Sequence, residues 1–213
     1  QLYLANIGAV KGTILSSVVP PITENMAAAI ARLTGRRPLV VGPGLKTGMN
    51  IKADVHNQLG SDIVASSVAA VSKYPSPIIV INLGTAMTFS YLSSNSYEGC
   101  AIAPGIRLAL EALSERAAQL PHISLEGPVN PLGRNTVDAM RAGVILGSAG
   151  TVDAMIERME EAAGAAAQTI VATGYGSAQL LRHCRHEIRL DHNLLMDGLF
   201  LLYQKNTATN RKK

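Results

Sequence analysis

The stretch Ile78-Ile79-Val80-Ile81-Asn82-Leu83-Gly84-Thr85-Ala86-Met87-Thr88-Phe89-Ser90-Tyr91-Leu92 decides the fold. Its first six residues are apolar except for Asn82, and such a run reads as a strand buried on both faces. Gly84-Thr85 interrupts it, and Met87–Leu92 resumes as a second β-rich run. The polar turn Ser93–Ser96 leads into a third, Tyr97–Ala103. Three β-rich runs joined by tight reversals predict an antiparallel meander.

Downstream, Pro104-Gly105 introduces a helix over Ile106–Ala118. From Thr136 the residues Met140, Val144, Gly147, Thr151, Met155 and Met159 recur at helical spacing. Gly143, Gly147 and Gly150 weaken that helix by about 1 kcal/mol each relative to Ala, a cost that predicts close approach of another backbone. Thr169–Ala172 reads as a strand, Ser177–His183 as a helix, Glu187–Leu190 as a short strand and Asn193–Lys205 as a helix. A three-strand meander followed by alternating helices and strands is the ribonuclease-H-like pattern of the actin-like ATPase superfamily.

Upstream, the apolar run Ile14–Val19 ends at Pro20-Pro21, and Asn25–Leu33 has helical spacing up to a C-cap signal at Gly35. Leu39–Val41 and a helix over Ser61–Val71 follow. This part reads as the remainder of a similar half without its own meander. The expectation is an α/β chain of two similar halves, the first incomplete, over residues 1–75 and 76–213.

Composition narrows the function. In 213 residues, 47% are hydrophobic, 16% charged and 4% aromatic, with no Trp. The net charge of +4 includes the terminal Arg211, Lys212 and Lys213. A nucleic-acid face needs clustered basic residues and stacking aromatics, so nucleic acid is not an expected partner. No apolar run approaches a membrane span. Two distant cysteines, Cys100 and Cys184, make no disulfide framework, so a cytoplasmic location is expected.

Three places carry candidate chemistry. The turn Gly84-Thr85 between strands exposes N–H groups and a hydroxyl suited to phosphate, or is an ordinary hairpin turn. Thr173-Gly174-Tyr175-Gly176 links a strand to a helix and reads equally as an anion site or a plain connection. Asp62, just inside a helix start at Leu59-Gly60-Ser61, is a capping carboxylate or a base at a cleft mouth. His183, Cys184, His186 and His192 lack a recognised zinc spacing. Gly42–Thr47 lacks the glycine spacing and ending of a Walker motif.

Taken together, these segments resemble the type III pantothenate kinases. Ser16–Pro20 resembles the family's SSVVP, and Val40–Gly48 its VVGPG-x-KTG. Leu59–Ile63 stands where the family has G-A-D-R. Gly84–Thr88 resembles G-T-A-T-T, and Tyr97–Gly105 resembles Y-x-G-G-A-I-x-P-G. Gln119–Pro121 resembles the end of T-A-x-L-P, and Gly133–Thr136 resembles G-x-N-T.

The resemblance implies ATP-dependent phosphorylation of pantothenate to 4'-phosphopantothenate, in coenzyme A biosynthesis. It implies Asp62 as general base and Gly60, Ser61, Asp62, Ile63 and Thr136 as substrate-binding residues. Gly84 and Thr85 fall at ATP, and Asn82 at the monovalent cation. ATP, Mg2+ and K+ or NH4+ are the implied cofactors. A homodimer, or a heteromer with a related subunit, is the implied assembly, and Asp62 is expected to face a cleft with Thr85 and Thr136. The departures are Ile63 for the family's Arg, Asn82 for Asp, Ala53 for Tyr, Ala117 for Thr and Tyr175 between the two glycines of T-G-G. The family's opening D-x-G-N-T phosphate loop has no counterpart here. The alternative expectation is therefore a non-catalytic paralogue that acts as a binding or regulatory subunit of an intact kinase. A sugar or acetate kinase of the same superfamily is disfavoured by the specific motifs.

Overall fold

The computed structural model describes residues 10–51 and 59–208; Ala53 and the basic C-terminal tail lie outside them. The chain divides into two compact units. Of the described residues, the first comprises 10–51, 59–73, 95–97 and 193–208, and the second 74–94 and 98–192.

In the first unit, β1 (Ile14–Leu15) pairs in parallel with β2 (Leu39–Val40), and α1 (Pro20–Thr34) connects them. The two prolines open α1 rather than standing apart from it. At the first helical positions the absent N–H would have no intrahelical partner, and the ring presets φ. The helix closes at Gly35 in the left-handed conformation, φ 72°. A strand absent from the sequence reading, β3 (Asn50–Ile51), pairs in parallel with Ser96-Tyr97. The core lies between α2 (Ser61–Lys73) and α6 (Leu194–Thr207), where Val41, Ala65, Val68, Leu199 and Leu202 are buried together. These helices meet where Gly198 faces the backbone of Ala65, and a methyl at 198 would run into the Ala65 carbonyl.

The second unit is built on β4 (Ile78–Leu83). It pairs antiparallel with β5 (Ala86–Ser93) and parallel with β7 (Thr169–Gly174). A turn at Ser94-Asn95 leads into β6 (Ser96–Pro104), and β8 (Arg189–Leu190) lies beside β7. The order β6-β5-β4-β7-β8 is a meander extended by parallel strands, the ribonuclease-H-like arrangement. Alternation sends Ile79, Ile81, Leu83, Met87, Phe89 and Tyr91 to one face of the sheet. There they are buried with Ala149, Val152 and Ile156 of α4 (Thr136–Ala163). On the other face Ile78, Val80 and Leu92 are also buried, as the continuous apolar run predicts. The other two helices are α3 (Ile106–Arg116) and α5 (Ser177–Leu181), the latter two residues shorter than its sequence pattern. Among the described residues no helix is long and apolar enough to cross a membrane.

The α4 glycines differ from expectation. A Cβ at Gly143, Gly147 or Gly150 would have no heavy atom within 4 Å. The helix therefore buries its other side, and within the described chain no backbone approaches these glycines.

The α2–α6 contact gives a prediction of sign. In an open helix, Gly→Ala stabilises by about 1 kcal/mol. At Gly198 the added methyl meets a main-chain oxygen that cannot rotate away, and such overpacking costs about 1–3 kcal/mol. Gly198→Ala is therefore expected to lower the urea midpoint, and a raised midpoint would refute the close contact.

Candidate active site

In the first unit, three separate sequence segments line one cavity of about 450 Å³. Ser17, Val18 and Pro20 come from the first, Gly42 and Pro43 from the loop after β2, and Gly60 and Ser61 from the start of α2. The Ser16 and Ser61 hydroxyls share a hydrogen bond of 2.8 Å, which ties the first segment to the helix start. Gly60 accepts the first helical bond, from the N–H of Val64 at 3.1 Å. Asp62 is half-buried and forms no hydrogen bond or ion pair with another described residue. Its carboxylate leans back toward Gly60: a Cβ there would lie 2.5 Å from Oδ1. It therefore neither caps its helix nor lies among the residues lining the cavity. Ile63, 7% exposed, is a core residue of this unit.

In the second unit, the two candidate turns come together. Gly84-Thr85 ends β4, and Gly174-Tyr175-Gly176 ends β7. They share a cavity of about 440 Å³ with Met87, Arg107 and Glu111. Two close backbone approaches make this possible. A methyl on Gly105 would run into the carbonyl oxygens of Gly84 and Thr85, and one on Gly174 into the carbonyl of Leu83. The Gly105 N–H donates to the Thr85 carbonyl at 3.0 Å. The cavity lies at the carboxyl ends of β4 and β7. From β4 the chain turns to one side as β5, while β7 adds on the other. Open α/β sheets bind ligands at such reversals of strand order. Because α5 has five residues, its dipole adds little, and the turn itself supplies the polar groups.

Asn82 stands directly opposite Thr88 of β5 and Thr173 of β7. The three side chains form a row across one face of the sheet, and both threonines are buried. Thr136 is the exposed first residue of α4. Before it, Asn135 caps the helix by accepting from the Asp138 N–H at 2.9 Å, while its amide donates to the Asp138 carboxylate at 2.7 Å. Thr136 lines neither cavity.

The histidine-rich segment has a structural partner that sequence reasoning missed. Asp153 of α4, 7% exposed, accepts from the backbone N–H groups of Arg185 and His186 at 2.9 and 3.1 Å. Its Oδ1 lies 2.8 Å from His186 Nδ1. Burial opposes the Asp153 charge, but the hydrogen bonds from His186 and the two backbone donors outweigh it, and the carboxyl stays below its ordinary 3.8. Burial, with the Asp153 charge second, pushes the Cys184 thiol up to about 11. Among the described residues no group of three His, Cys, Asp or Glu side chains could hold a metal ion. Arg107 was also missed. Its only sequence signal is its place beside the helix start that follows Pro104-Gly105.

The chain matches the family model for type III pantothenate kinase over residues 2–158. It is 40% identical over 203 residues to the type III pantothenate kinase of Exiguobacterium sibiricum, covering 94% of this chain and 79% of that protein. It is 42% identical to that of Brevibacillus brevis, covering 93% and 78%. Its fold is similar to that of a Campylobacter jejuni protein described as a conserved Baf family transcriptional activator. That match has a TM-score of 0.65 at 18% identity, covering 93% of this chain and 85% of the other.

The Asp153 contacts predict an acid-sensitive step. A carboxylate held below its ordinary value contributes stability that is complete above 3.8 and disappears as pH falls through the lowered value. Asp153→Asn is expected to lose about 1–3 kcal/mol at pH 7, as the backbone donors and the His186 ring lose a charged acceptor. It is also expected to lose less further stability than the parent between pH 5 and roughly pH 2. Denaturant titrations at both pH values test this, and parallel losses in the two proteins would refute it.

Proposed function

The chain belongs to the type III pantothenate kinase family, and we propose that it transfers the γ-phosphoryl group of ATP to the primary hydroxyl of pantothenate. The observation that carries the reading is the convergence of family motifs. Residues from segments 17–20, 41–47 and 59–61, far apart in sequence, line one cavity, while Gly84-Thr85 and Gly176 line another.

In this reading the carboxylate of Asp62 accepts the hydroxyl proton as the oxygen attacks phosphorus. The proton passes from the substrate oxygen to Asp62 while the bond from the γ-phosphorus to the bridging oxygen breaks toward ADP. A half-buried carboxylate without a described partner is available for that role. Gly60 and Ser61, with the rest of the loop, hold the substrate. The Gly84 N–H is taken by the Ala86 carbonyl at 3.0 Å, so the N–H and hydroxyl of Thr85 hold phosphate oxygens, and Thr136 is a further substrate contact. Phosphoryl transfer asks the protein mainly for positioning and charge stabilisation. Mg2+ bound with the nucleotide would offset charge on its phosphate oxygens. The row of neutral oxygens at Asn82, Thr88 and Thr173 fits a monovalent cation better than a divalent one, since hard divalent ions favour carboxylates. Bound there, such a cation would supply positive charge near the Gly84-Thr85 turn.

A second reading, a non-catalytic subunit that binds an intact kinase, is favoured by Ile63. A buried apolar residue stands where the family's loop carries Arg, so this loop brings no cation to the substrate.

We also propose a homodimer through the exposed face of α4. Three glycines with open space above them are a cost unmet by the described chain, and a facing helix would offset it. Light scattering is expected to give a dimer, and Gly147→Leu to give a folded monomer. A wild-type monomer at micromolar concentration would refute the pairing.

The activity is tested by ADP release with pantothenate on the full chain. Asp62→Asn is expected to lower turnover by roughly 10²–10⁴-fold, about 3–5 kcal/mol of barrier, with little change in stability. Gly60→Ala, whose methyl displaces the Asp62 carboxylate, is expected to lower turnover by about 10-fold. Undiminished turnover in Asp62→Asn removes that residue from the mechanism. A wild-type chain that binds pantothenate and ATP without turnover favours the second reading.

A further inference from the structure

The cavity of the phosphate turn has a neighbour. A second cavity of about 420 Å³, lined by Ser124, Leu125, Glu126 and Gln179, shares Ile106, Arg107, Tyr175 and Gly176 with the first. The wall between them is a stacked pair: the Arg107 guanidinium carbon lies 5.0 Å from the centroid of the Tyr175 ring.

Both partners are unusual in their surroundings. The Tyr175 ring is 86% exposed, so burial does not hold it there. Among the described residues Arg107 is the one cation lining either cavity and forms no ion pair, although Glu111 and Glu126 line the same cavities. A guanidinium carries five donors in a planar fork suited to phosphate oxygens. Its contact with an exposed ring is weak and easily exchanged. An aromatic face freed by that exchange is a stacking surface for a nucleobase.

We propose that Arg107 and Tyr175 form a two-part nucleotide clamp. Arg107 leaves the ring to donate to phosphate oxygens held at Gly84-Thr85. The base then stacks on the ring face that Arg107 vacates, within the second cavity, where the polar groups of Ser124 and Gln179 are at hand. The clamp rests on the nucleotide-using reading above and adds to it the two residues that set nucleotide affinity. It also gives Tyr175, which departs from the family's T-G-G pattern, a use.

Calorimetry on the full chain with three probes separates the parts: ADP, adenosine and inorganic tripolyphosphate. Arg107→Ala is expected to weaken ADP and tripolyphosphate by about 10-fold without weakening adenosine, for which the ring face is then open, with Arg107→Lys restoring part of the loss. Tyr175→Ala is expected to weaken ADP and adenosine by about 10-fold and leave tripolyphosphate unchanged, while Tyr175→Phe binds as the wild type does. Melting temperatures of all four variants should match the wild type, since both side chains are exposed. ADP binding unchanged in both alanine variants overturns the clamp and leaves the kinase reading standing. A wild-type chain that binds none of the three probes overturns the kinase reading itself.

Discussion

The carbonyl oxygens of Leu83, Gly84 and Thr85 are approached from two sides by residues without a side chain, Gly174 and Gly105. On that crowding the candidate nucleotide site depends. It brings the ends of β4 and β7 and the start of α3 close enough for their turns to share a cavity. Any side chain at either glycine would push a turn outward, because main-chain oxygens in a paired strand cannot yield. The arrangement in turn depends on β4 being buried on both faces and hydrogen-bonded on both edges.

The first unit relies on the same device in a helical setting. Gly198 lets α6 approach α2 at Ala65, and that contact positions the helix whose first turn carries Gly60, Ser61 and Asp62. The Ser16–Ser61 bond then draws in the segment between β1 and α1. A loop presenting a catalytic base is more precise when a packed helix continues it, since local loop motion is then limited by the core behind it. Asp62 gains its availability from this arrangement. Gly60 accepts the first helical bond through its carbonyl, and the carboxylate is left without a capping duty.

Asp153 shows how a polar group can organise a connection without catalysis. Its four contacts close the segment after α5 onto α4, and α5 begins where the Tyr175 turn ends. A single buried carboxylate therefore braces the far side of the same loop that faces the Gly84-Thr85 turn. Its charge is stabilised by the backbone N–H groups of Arg185 and His186 and by the His186 ring.

By itself the sequence determined the central elements and their kind. The apolar run 78–83, the reversals at 84–85 and 93–96 and the helical period after Thr136 are local patterns, and local hydrogen bonding and periodicity suffice to set them. It also determined the family motifs, because those need particular residue types at particular turns. Only the tertiary structure decided which turns meet. The shared cavity of Gly84 and Gly176, the pairing of Arg107 with Tyr175, the Asp153 contacts and the two-residue strand β3 join residues tens of positions apart. Nothing in a one-dimensional spacing encodes such a distance. The α4 glycines mark the same divide. Their helical cost was legible from propensity, whereas the open space above them depends on which face of the helix the sheet takes.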